Sequence, residues 1–117
     1  MGLDIKISHG KHSCYFRKYN WLYGWVRRKL KVPKLENCEH YNIHRSMIND
    51  LINDISKVLT DHSLAKKLLP TEDGFFFGST EYDDWYFKDL LDAKTQLTQL
   101  LITNMSDGEP ADFWSWY

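Results

Sequence analysis

Leu3, Ile5 and Ile7 alternate with Asp4 and Lys6, the two-residue period of a strand buried on one face. His9-Gly10-Lys11 reads as a turn, and Cys14-Tyr15-Phe16-Arg17 as a second short strand. Beyond it the period changes. Trp21, Leu22, Trp25, Val26 and Leu30 recur at helical spacing behind Asn20, a good N-cap, so a short helix is expected to about Leu30. Arg27, Arg28 and Lys29 fall at its C-terminal end, where cations complement the dipole. Gly24 weakens this helix and Pro33 ends it.

Tyr41-Asn42-Ile43 is a third short strand, and the strongest pattern of the chain follows it. Ser46 serves as an N-cap, and Ile48, Leu51, Ile52, Ile55, Val58 and Leu59 make one apolar stripe. Asn49, Asp50, Asn53, Asp54 and Lys57 take the opposite face. A helical turn over Ser63 to Leu69 precedes Pro70, and Thr71-Glu72-Asp73-Gly74 is turn chemistry. Phe75-Phe76-Phe77, closed by Gly78, reads as a short buried strand. Thr80, with Asp83 three residues on, reads as the cap of a second long helix. Its buried stripe is Tyr82, Trp85, Tyr86, Leu90, Ala93, Leu97, Leu100 and Leu101. Asn104 to Pro110 breaks it, and Asp112 to Tyr117 alternates as a terminal strand. The expected fold is α+β, a single domain over residues 1–117. Two long amphipathic helices and a short basic helix pack on a small, mainly antiparallel sheet.

Composition adds less than charge. Aromatics are 15% of the chain, with Trp at 21, 25, 85, 114 and 116, and such rings suit cores and partner surfaces alike. No apolar run approaches the ~20 residues of a membrane span, and residues 1–6 lack the pattern of a signal peptide. Two cysteines without an export signal read as reduced thiols, which places the chain in the cytoplasm. The net charge of −1 conceals a split. Through Lys34 the only acid is Asp4, against Lys6, Lys11, Arg17, Lys18 and five further cations, while the acids crowd the second half. That asymmetry bears on fields and partners, not on fold.

Three constellations are candidates for chemistry. Gly74, Gly78, Ser79 and Thr80 lead into a helix N-terminus, whose free amides can hold an anion. Arg17 and Lys18 would complete such a pocket if the fold brought them near, although Glu72, Asp73, Asp83 and Asp84 oppose it. His9, His12 and Cys14, with Cys38, His40 and His44, form two metal half-sites, but their spacings are not those of a zinc finger and no metal is expected. The basic run Arg27-Arg28-Lys29-Leu30-Lys31 beside Trp21 offers phosphate contacts and stacking, yet a pI near 6.5 disfavours a nucleic-acid binder. No nucleophile has an evident base, so catalytic residues are assigned to none and an enzyme is the weakest reading.

Several segments together resemble a family of small proteins carried by bacteriophages and prophages. They are Met1-Gly2-Leu3-Asp4, the run from Phe16 to Trp25, and the long block from Leu68 to Tyr86 that includes Pro70-Thr71-Glu72-Asp73-Gly74 and Gly78-Ser79-Thr80-Glu81-Tyr82-Asp83-Asp84-Trp85. Phe16 stands where relatives carry Trp, and Tyr23 where they carry His. The resemblance implies a phage setting and no catalytic residues. Proteins of that setting commonly bind host factors, so the expected function is a non-enzymatic accessory protein that inhibits a host protein or ribonucleoprotein of a defence system such as CRISPR. Arg17, Lys18, Trp21, Arg27, Arg28 and Lys31 are its expected partner surface. The alternatives are a binder of a nucleotide or similar anionic signal at Gly74, Gly78, Ser79 and Thr80, or a small enzyme. No cofactor is expected.

Overall fold

A computed structural model describes residues 2–74, 77–104 and 109–117, with the side chains of residues 103 and 104 excepted. Strand β1 (Asp4–His9) turns through Gly10, at φ +61°, into β2 (His12–Arg17). Helix α1 (Asn20–Lys29) follows, then β3 (His40–Ile43) and helix α2 (Arg45–Thr60). A 3-10 turn over His62–Leu64 runs into the short helix α3 (Ala65–Leu68). The long helix α4 (Asp84–Asn104) and the terminal strand β4 (Ala111–Trp116) complete the chain. The strands form one antiparallel sheet in the order β2-β1-β4-β3, so the terminal strand lies between the first and the third. The fold is α+β, as the alternation of periods predicts.

The two-residue period decides which sheet face is dry. Leu3, Ile5, Ile7, Phe16 and Phe113 are fully or almost fully buried, while Lys6, Tyr15 and Arg17 emerge on the other side. Helix α4 packs on β2 and β1, and α2 packs on α4. Their stripes meet through Ile48, Leu51, Ile55 and Val58 on one side and Leu90, Ala93, Leu97 and Leu100 on the other. Each such side chain contributes about 1.5–3 kcal/mol by leaving water.

Four local expectations are corrected. Helix α1 is the most enclosed element, not a surface helix with one dry stripe: Asn20 through Val26 are all buried. Its Gly24 has a packing reason, because the Glu72 carboxylate occupies the place a Cβ would take. Helix α2 starts at Arg45, one residue ahead of Ser46, with His44 in the cap position. Helix α4 starts at Asp84 rather than after Thr80, and Asp83 caps it by accepting the Tyr86 N–H at 3.1 Å. Phe77 is buried but belongs to no strand; Phe75 and Phe76 of the expected run lie outside the described residues.

Candidate functional site

The chain leaves β2 through Lys18 at φ +61°, whose N–H donates to the Leu3 carbonyl at 2.6 Å. This left-handed step lays the Lys18 side chain against Gly78, itself at φ +92°, where a Cβ would sit a tight 3.1 Å from that side chain. Asn20 fixes the same approach from below. Buried at the first position of α1, it donates to the Phe77 carbonyl at 3.1 Å and the Ser79 carbonyl at 2.9 Å, and accepts the Glu72 N–H at 3.1 Å. Thr71 secures the loop's far side, its hydroxyl on the Thr80 carbonyl and its N–H on the Tyr82 hydroxyl. These bonds hold Glu81 and Tyr82 out of the helix that the sequence predicts to follow Thr80.

Between that loop, the end of β2 and the first turns of α4 opens a cleft of about 250 Å³. Arg17, Lys18, Gly78 and Ser79 line one wall, as the anion-pocket reading requires. Glu81, Asp83 and Asp89 line the other, around the rings of Trp21, Trp85 and Tyr86. The amides expected to hold an anion are already engaged: Asp83 takes one at the helix start, and the Ser79 hydroxyl accepts the Glu81 N–H at 3.1 Å.

Burial pushes the Asp89 carboxyl up to about 6, helped by the charges of Asp92 and Asp83 and opposed by the nearby Tyr19 hydroxyl. The Tyr19 hydroxyl donates to Asp92 at 2.7 Å, and burial with that carboxylate raises its phenol. Trp21 is 2% exposed and its indole N–H has no hydrogen-bond partner among the described residues. Trp85 stands 72% exposed, with the Lys88 ammonium 4.8 Å from its ring centre.

Trp21 is therefore a wall of the core and not the exposed aromatic of a partner surface, a correction to the sequence reading. Arg27, Arg28 and Lys31 lie at the opposite end of α1. Arg27 pairs with Glu72 at 3.2 Å, both side chains largely shielded, and Arg28 and Lys31 are exposed. Although Arg28 as a whole is exposed, partial burial of its guanidinium beside Gly24, with Arg27 adjacent, pulls it below its usual range. Gly74 packs against Phe77 away from the cleft, and Thr80 does not line it.

The six metal-ligand candidates are dispersed. Cys14 is buried with its thiol on the Gln96 carbonyl at 3.5 Å, whereas Cys38 is exposed and His40 holds Asp112 at 2.8 Å. His9 and His12 face each other across the first turn, and His44 precedes α2. Among the described residues, no group of three or more His, Cys, Asp or Glu is placed to hold a metal ion. No helix there is long and apolar enough to cross a membrane.

Two features escaped the sequence reading. The first corrects the stripe expected for the long helix, which counted Trp85 as buried: Trp85 is exposed, as the spacing of 86, 90, 93, 97 and 100 leaves 85 off the dry face. The second is a ladder of rings on the outer sheet face. The His40 ring lies flat on Trp114 (5.4 Å, 3°), Trp114 meets Trp116 at 4.4 Å, and Tyr15 follows at 6.4 Å. The alternation 112, 114, 116 carries that signal. The rings come from β3, β4 and β2 and brace those three strands across the sheet, with Tyr15 still exposed at the end of the ladder.

Compared with known protein families, with curated proteins and with solved structures, the chain finds no match in any of the three.

Proposed function

We propose that this chain is a non-enzymatic phage accessory protein that acts in the host cytoplasm, where it binds and inhibits a host macromolecule of a defence system. The observation that supports a binding role is Trp85. It is a large ring 72% exposed at the mouth of a cleft, and indole rings of this kind anchor protein interfaces. Trp85 takes the part that the sequence gives to Trp21, and the cleft takes precedence over the basic end of α1, where Arg27 is already matched by Glu72. The phage setting rests on the resemblance of residues 1–4, 16–25 and 68–86. Affinity capture from host lysate tests the reading: the wild type retains a host protein or ribonucleoprotein, and Trp85→Ala loses it without a change in melting temperature. Equal retention by the variant rejects the cleft as the binding surface.

A second reading has its own observation. Arg17, Lys18, Gly78 and Ser79 converge on one cleft of small-molecule size, which suits a nucleotide or another anionic signal. The three carboxylates opposite oppose it. Native mass spectrometry of protein incubated with a nucleoside triphosphate decides: a one-to-one adduct lost in Lys18→Ala supports this reading over the first.

A further inference from the structure

One face of the sheet carries the helices and the other stands in water. Strand register sets Arg17, Asp4 and Trp116 in one row of the open face, and Tyr15, Lys6, Trp114 and His40 in the next. Lys6, Tyr15, Arg17 and His40 are exposed there, and both tryptophans are half-buried. Same-face neighbours on a strand lie about 7 Å apart, yet the Trp114 and Trp116 rings close to 4.4 Å. With His40 flat on Trp114 and Tyr15 beyond Trp116, four rings make one tilted stack across β3, β4 and β2. Cross-strand bracing accounts for the inner pair. It does not account for the two ends, where His40 and Tyr15 stay exposed.

Tyr15 is the end suited to a ligand. Its ring is 48% exposed, yet its hydroxyl donates to Asp4 on the adjacent strand, which also faces Arg17 at 3.8 Å. A ring fixed before binding gives up little freedom when a flat partner settles on it. Charge narrows what that partner is. Asp4 and Asp112, the acids that the strands place on this face, are matched by Arg17 and His40. Lys6, set between Tyr15 and Trp114, is the surplus charge, and Lys11 adds a second cation at the β1–β2 turn. Glu39, beside His40 in sequence, weakens the positive field toward β3, so the basic side is that of Tyr15. The pI near 6.5 sums over the whole chain and hides this local balance. A fixed ring beside cations matches bases carried on a phosphate backbone, whereas a neutral sugar has no use for Lys6. Stacking on a side chain needs a base free of its complementary strand.

We infer that the open sheet face binds single-stranded nucleic acid, with a base stacked on Tyr15 and backbone phosphates against Lys6 and Lys11. This goes beyond the binding role proposed for the cleft, which lies at Trp85 on α4. The test is fluorescence anisotropy at about 50 mM salt with a labelled strand of twelve thymidines, beside a duplex of the same length. The single strand binds, and the duplex binds at least roughly tenfold more weakly because its bases are hidden. Tyr15→Ala weakens the single strand by roughly tenfold, and Tyr15→Phe, which keeps the ring, restores most of the loss. Lys6→Ala lowers the slope of log affinity against log salt by about 0.7. Lys57→Ala, which removes an exposed cation on α2, leaves affinity and slope unchanged. Should Tyr15→Ala fail to fold, a strand carrying 5-bromouracil, photo-crosslinked to the wild type, reads the contact directly at residues 12–17 or 111–116. Crosslinks confined to other segments overturn the inference. So do equal binding of strand and duplex, or the same loss in Lys57→Ala as in Lys6→Ala. Absence of binding overturns it too; if Tyr15→Ala then loses a captured host protein, the face is a protein contact instead.

Discussion

Replacing Asn20 by Ala removes one side chain and strands three backbone groups. The Phe77 carbonyl is buried and loses its donor outright, while the Ser79 carbonyl and the Glu72 N–H are part-buried and can recover some water. An orphaned buried polar group costs about 1–3 kcal/mol, and a partly rewatered bond about 0.5–1 kcal/mol. Alanine returns a few tenths of a kcal/mol through its better helix propensity, which leaves a net loss of roughly 2–4 kcal/mol. In a domain of this size that lowers the melting temperature by on the order of 10 °C. Urea denaturation should show a lower midpoint at unchanged slope, since the same surface is exposed on unfolding. Hydrogen exchange at the Glu72 amide should accelerate more than exchange within α2. Asn20→Asp separates bonding from volume. It keeps the acceptor for Glu72 but aims a carboxylate at two carbonyl oxygens, so it is worse than Ala at pH 7 and recovers on acidification. A loss below about 0.5 kcal/mol in Asn20→Ala would refute the view that this amide holds the loop to α1.

Other expectations follow from burial and charge. Leu97→Asp, which sets a carboxylate in the fully dry α2–α4 seam, should abolish cooperative unfolding, whereas Ile52→Asp at the seam's edge should leave a folded but weakened protein by circular dichroism. Asp89 has a folded-state pKa raised to about 6, so between about pH 4 and 6 the native state holds more protons than the unfolded one and stability falls as pH rises. Asp89→Asn should flatten that slope and stabilise the protein at pH 7 by on the order of 1 kcal/mol after solvent screening, read from urea melts at pH 4, 5, 6 and 7. Burial, with Asp92 nearby, pushes the Cys14 thiol up to about 11, so iodoacetamide at pH 8 should modify the exposed Cys38 alone, checked by peptide mapping. A strong chelator should leave the melting temperature unchanged; a fall would return His9, His12, Cys14, Cys38, His40 and His44 to consideration as ligands.

Elements whose periodicity is local were readable within a residue or two. The stripe from Ile48 to Leu59 is sufficient to form α2, and alternation at Leu3, Ile5 and Ile7 is sufficient for β1. What failed was decided by distant partners. Ser79, Thr80 and Glu81 have the chemistry of a helix start, yet bonds from Asn20 and Thr71 keep them extended, and the helix waits for Asp83. That delay also alters the site. The convergence of Arg17 and Lys18 with Gly78 and Ser79 could be conjectured from composition alone. The acidic wall could not, because it depends on where α4 begins and therefore on which way Trp85 and Asp89 face. Trp21 and Trp85 exchanged expected roles for the same reason: the first turns of α1 are tied through Asn20 to a loop some fifty residues away in sequence.

Gln96 has an importance out of proportion to its half-buried position on α4. Its side-chain carbonyl accepts the Tyr15 N–H at 3.3 Å and its amide donates to the Tyr15 carbonyl at 3.3 Å, on the free border of β2. A primary amide presents the same donor and acceptor pair as a peptide unit, so the sheet meets at this border a surrogate strand one residue long. Open borders recruit strands from other molecules. With this one stoppered at its middle, association through the sheet is steered toward the four-residue border of β3, too short to template much. Unplugging β2, as Gln96→Leu would, makes strand exchange between copies available at high concentration. The amide thus closes the middle of the β2 border from the same helix that carries the cleft's acids.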